Sequence, residues 1–222
     1  MISAPRAGIA KPRMRRSVAV RRRRTPTLWD AASVATTAAP ERASPRGAAG
    51  ALLLGVGLAV ALALGVYAKA HTPAARPIFT LWFSGMLQMK AWLTTAAAFL
   101  LLVQLATALW MWGRLPGAGA QRRWTAWLHR WSGTAAFVLT LPVAVHCMWA
   151  LGFGTTNARV VLHSIAGCAF YGAYAAKMLG LRMRGLPGWA VPVLGGTVLS
   201  LFVLIWLTAA LWFFTRSGLP LT

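Results

Sequence analysis

The chain has 222 residues, 58% of them hydrophobic, with a formal charge of +21; a water-solvated globule could not cover that much apolar surface. Close to half of the basic residues fall in the first 46 positions and the rest punctuate apolar runs, a pattern of membrane topology that argues against a nucleic-acid partner. Asp30 and Glu41 are the only acids, so everything beyond them lacks a carboxylate for a proton relay, a di-iron centre or a calcium or magnesium cage.

Residues 1–48 are rich in Arg, Ala, Ser, Thr and Pro, carry four arginines in a row at 21–24 and show no apolar periodicity. They read as a disordered, basic cytoplasmic tail. Arg15 and Arg16 are adjacent but no apolar segment follows closely, which argues against a twin-arginine export signal, and Met14 offers an alternative start. Residues 49–222 read as one transmembrane domain.

Within that domain the expected fold is all-α: a polytopic bundle of five transmembrane helices, near 50–69, 91–112, 128–151, 160–180 and 190–214. Each run is long enough, at about 1.5 Å per residue, to cross roughly 30 Å of hydrocarbon. Residues 72–90 hold Pro73, Pro77, Phe79, Trp82 and Phe83 and read as a loop with a short interfacial segment. Basic residues then set the orientation. With the amino terminus in the cytoplasm, the inner connections carry Arg114, Arg122, Arg123 and Arg130, and then Lys177, Arg182 and Arg184. The outer side, where the carboxyl terminus falls, keeps Lys69, Arg76, Lys90, Arg159 and Arg216. Many of the twelve tryptophans lie near span ends, as an interfacial belt requires. The expected location is a bacterial cytoplasmic membrane, crossed several times.

Four histidines are the main chemical feature. The short connection after residue 151 makes the third and fourth helices an antiparallel hairpin, which sets His146 and His163 at similar depth near the outer face. Imidazole is a common axial ligand of haem iron, and polar ligands inside a membrane are costly unless they serve a purpose. Gly167 follows His163 by about one turn and leaves space for a flat macrocycle, while Arg159, four residues before it, is placed for a haem propionate. Pro142, one turn before His146, should kink the third helix and re-aim that histidine. His71 is a competing outer ligand or a quinone-site donor. The alternative is that each histidine hydrogen-bonds between helices. Cys147 and Cys168 read as small apolar fillers.

Leu128-His129-Arg130-Trp131-Ser132-Gly133 echoes Leu162-His163-Ser164-Ile165-Ala166-Gly167, one copy at each face. His129 and His146 stand roughly 26 Å apart along the axis and about 100° off a common face, so they cannot share one haem.

These two stretches, with His146 between them, resemble the histidine–glycine helices of transmembrane b-type cytochromes and ferric-reductase-like membrane domains. That resemblance implies haem b and electron transfer, although the chain offers at most one of the two histidine pairs such domains carry and contains no flavin or nicotinamide domain. His71-Thr72-Pro73, Leu109 to Pro116 and Tyr171-Gly172-Ala173-Tyr174 also look like stretches of an uncharacterised family of five-helix bacterial membrane proteins. The expected function is a membrane-anchored electron-transfer subunit that holds one b-type haem between His146 and His163 and exchanges electrons with quinol or an extracytoplasmic redox partner. The alternatives are a cofactor-free scaffold or accessory subunit, and a small transporter using Gln104, Lys177 or the Gly195 and Gly196 pair.

Overall fold

The computed structural model describes residues 45–117, 119 and 122–219, and most of the basic tail lies outside them. Five long helices follow one another: α1 (Pro45–Ala70), α2 (Met86–Met111), α3 (Arg123–His146), α4 (Ala158–Gly180) and α5 (Ala190–Trp206). A short α6 (Trp212–Ser217) continues α5 through a π-helical turn, Leu207–Leu211, and a second π turn, Cys147–Leu151, extends α3. The described residues contain no strand. Helix α1 starts inside the expected tail, at Pro45, where a missing N–H costs nothing because the first turn has no acceptor for it.

Four of these segments, Gly47–Ala70, Met86–Met111, Arg123–Leu151 and Ala190–Ser217, are long and apolar enough to cross a membrane, which marks a multi-pass membrane protein. Their outer faces suit lipid: Leu54, Leu58, Leu62 and Val66 recur every fourth residue along α1 and are all exposed. Helix α4 is more polar because it carries Arg159, His163, Ser164, Lys177 and two tyrosines, and it packs against both α1 and α5.

Helix α1 lies against α4, α2 against α3, and α4 against α5. The first contact depends on glycine. A Cβ built on Gly172 would stand 2.2 Å from the Gly57 carbonyl oxygen, so the two backbones touch. Gly65, two turns further along α1, faces the Cys168 sulfur. Gly195 and Gly196, by contrast, face open space.

The expected α3–α4 hairpin forms through side chains. Phe137 stacks on Tyr174 with centroids 4.0 Å apart, and the Tyr171 hydroxyl donates to Thr140 O at 3.0 Å. Pro142 stays inside a continuing helix, and the departure from α geometry comes five residues later, at the π turn. That turn leaves carbonyls that the 71–85 connection uses: Ala74 N–H donates to Trp149 O and Ala75 N–H to Ala150 O. The connection has no helix of its own, and α2 begins at Met86, earlier than expected. Lys90 therefore belongs to a helix and not to a loop.

Candidate functional site

Between α3 and α4, at the end where the 152–157 connection closes the bundle, lies a mostly apolar cavity of about 360 Å³. Leu64, Val143, Phe170, Phe202 and Ile205 supply apolar wall, and Lys90, Cys147, Met148, His163 and Ser164 supply its polar and sulfur groups. The volume lies within the roughly 300–1,000 Å³ of small-molecule and cofactor sites. Gly167 is on the wall, and a Cβ added there would meet nothing within 4 Å.

His163 is held in a defined state. Thr208 Oγ1 donates its proton to Leu204 O at 2.7 Å, so it accepts from His163 Nδ1–H, 3.0 Å away. In the neutral ring the lone pair is thereby left on Nε2, and Cys147 lines the same cavity wall. An Nδ1–H fixed by an oxygen acceptor, with Nε2 unprotonated, is the usual arrangement of a metal-ligating histidine. Arg159 supports the same residue from the other side. Its guanidinium donates to Thr208 O and sits 4.0 Å over the Trp212 ring. Thr208 O belongs to the second π turn, and such turns recur at functional positions.

His146 is fully buried but is absent from the cavity wall. Its Nδ1 hydrogen-bonds Pro142 O at 2.7 Å, its Nε2 accepts from Phe79 N–H at 3.4 Å, and its ring meets Phe79 edge-on. Both nitrogens are engaged, so this histidine pins the 71–85 connection to α3. His71 also stands off the cavity wall. It stacks on Tyr67 and tilts against Trp149, and its Nε2 is buried with no hydrogen-bond partner among the described residues. The structure thus gathers His163 and Gly167 at the cavity, places Arg159 behind them, and sends His146 and His71 elsewhere.

The internal echo has a physical counterpart. His129 donates through Nδ1 to Thr107 Oγ1 at 2.9 Å, and that hydroxyl in turn donates to Val103 O. This is the His163–Thr208 device repeated at the α2–α3 seam. There the space over the glycine is filled, because Gln104 bonds Ser132 Oγ at 2.7 Å and lies against Gly133, within 2.9 Å of where its Cβ would be. At Gly167 the corresponding space is the cavity.

Two wall residues escaped the sequence reading. Lys90, only 9% exposed, looked like a loop charge, although its place four residues into an apolar run was a signal that it faces inward. Cys147 looked like filler, and only the fold brings it to the same cavity wall as His163 and Lys90.

No curated protein and no solved structure matches the chain, and the comparisons give no support to the expected likeness to b-type cytochromes. A family model does match, over residues 50–221. The chain belongs to this family of unknown function, DUF6529, whose model spans all five helices.

Proposed function

We propose that the protein is a five-span membrane protein, amino terminus in the cytoplasm and carboxyl terminus outside, that holds one b-type haem in the cavity and serves in electron transfer. The observation that carries this reading is the oriented His163: a half-buried imidazole with Nδ1–H spent on Thr208 and Nε2 left as a lone pair, on the wall of an apolar cavity. Bound haem would supply a one-electron couple. His163 would donate Nε2 to it, Thr208 would fix the ring, and Arg159 would hold the Thr208 carbonyl as a positioning residue instead of meeting a propionate itself. Gly167 keeps the wall flat beside His163. His146 does not fit the role of second ligand, because both of its nitrogens serve the fold. Met148 and Cys147 are the sulfur donors that share the wall with His163.

The packing of α4 against the apolar α1 and α5 supports the five-span topology, and the arginines at 114, 122 and 123 and at 182 and 184 support the orientation. A haem near the outer face cannot carry electrons across the bilayer alone, so the partner would be quinol or an extracytoplasmic redox protein. The test is haem content, by pyridine haemochrome assay, of the protein purified after expression with ample haem. Wild type should carry about one haem per chain, and His163→Ala should carry none.

A cofactor-free scaffold is the second reading, favoured by His129. Its threonine brace matches that of His163 but lies at a filled helix seam, which shows that such a brace also serves packing alone. A protein that never takes up haem supports the scaffold.

A further inference from the structure

Lys90 is the only lysine or arginine among the described residues that line the cavity, and it is nine-tenths buried. Thr94, Cys147 and Ser164 share the wall with it. Residues 43–222 contain no Asp or Glu, so this domain has no carboxylate to set against the ammonium. A buried charge is retained where something of opposite sign pairs with it. Arg159, the other nearby cation, is committed to Thr208 O and the Trp212 face.

We propose that Lys90 is the anchor for a carboxylate on an amphipathic ligand whose apolar body fills the cavity. The wall chemistry selects the class. One point-charge cation suits a singly charged carboxylate, whereas a phosphate would call for several donors or an arginine fork. Four of the wall hydroxyls are already used: Ser164 Oγ by Gly154 N and O, Thr94 Oγ1 by backbone carbonyls of its own helix, Thr140 Oγ1 by Phe137 O and the Tyr171 hydroxyl by Thr140 O. Leu64, Val143, Phe170 and Phe202 then meet hydrocarbon or an aromatic plane. Lys90 lies in the first turns of α2, so the head group would sit toward the end of the bundle and the body toward its centre. A porphyrin propionate and a free fatty acid both present this chemistry. The inference rests on the cavity described above but does not require iron or His163 ligation.

The test uses the full chain in detergent and metal-free probes, with binding read by porphyrin fluorescence. Protoporphyrin IX and its dimethyl ester are compared directly, and oleate is added as competitor. The wild type should prefer the free acid to the ester. Lys90→Met should weaken acid binding about tenfold or more and leave ester binding unchanged, while Lys90→Arg should retain most of it. His129→Ala, at the α2–α3 seam and off the cavity wall, should bind the metal-free acid like wild type. Porphyrin binding that oleate cannot displace assigns the tetrapyrrole class, and displacement by oleate assigns fatty acids. The wild-type acid-to-ester comparison stands even where a Lys90 variant fails to fold. Equal affinity for acid and ester, no binding of either probe, or an unchanged Lys90→Met protein overturns the proposal. Haem absorbance is a separate readout, so loss of the haem reading and loss of this one are distinguishable.

Discussion

Replacing Gly172 by Ala tests the closest backbone contact in the bundle. The new Cβ would fall 2.2 Å from Gly57 O and 3.1 Å from the Ala61 Cβ, whereas carbon and carbonyl oxygen settle no closer than about 3.3 Å. Helix α1 must therefore retreat from α4 by about 1 Å, and no flexible side chain is present to absorb the shift. Overpacking of this kind costs about 1–3 kcal/mol, against which the better helix propensity of Ala returns about 1 kcal/mol. Gly167→Ala is the internal control, since it lies in the same helix, gains the same propensity and meets nothing within 4 Å. The two variants should differ by about 1–3 kcal/mol, or roughly 2–12 °C in melting temperature, read by tryptophan fluorescence of the detergent-solubilised protein. Gly172→Ala should melt below wild type and Gly167→Ala at or above it. Equal melting temperatures for the two would refute the α1–α4 backbone contact.

Thr208→Val removes the acceptor of His163 Nδ1–H while keeping the shape, so a half-buried N–H loses its partner at a cost of about 1 kcal/mol; thermal unfolding should show the loss, and Thr208→Ser should restore it. His146→Ala should keep any haem band but lower stability, because the ring holds Phe79 and Pro142; loss of the band with normal folding would return His146 to the ligand set. After Cys147 and Cys168 are replaced, single cysteines at positions 117 and 185 should be shielded from impermeant thiol reagents in intact cells and one at 155 should react. Reaction at 117 or 185 would invert the proposed orientation.

The helices were legible because apolar runs bounded by arginine, proline and glycine leave few alternatives. Starts were less so: α2 begins five residues before the expected 91, at Met86, because Met86 and Leu87 continue the apolar pattern through Gln88 and Lys90. Gly57 and Gly65 in the apolar first helix meet Gly172 and Cys168 of α4, close packing of the kind small residues permit between membrane helices. The cavity wall was only half legible. His163 and Gly167 share one helix, and their spacing brings them to one face. The partner of His163 is Thr208, 45 residues away on another helix, and no periodicity links the two. Each π turn adds to the difficulty, since a one-residue bulge rotates everything after it by about 100° relative to an ideal α-helix. His146 stands off the cavity wall because its partner, Pro142 O, sits one turn behind it, a short-range bond that spacing alone does not reveal.

The reduced-minus-oxidised visible spectrum of the purified protein tests the central claim most directly. The haem reading predicts a sharp alpha band of a low-spin b-type centre in wild type, retained in His129→Ala and His146→Ala and abolished or converted to a high-spin spectrum in His163→Ala. A wild-type protein expressed with ample haem that shows no such absorbance, or a band that survives His163→Ala unchanged, would contradict it.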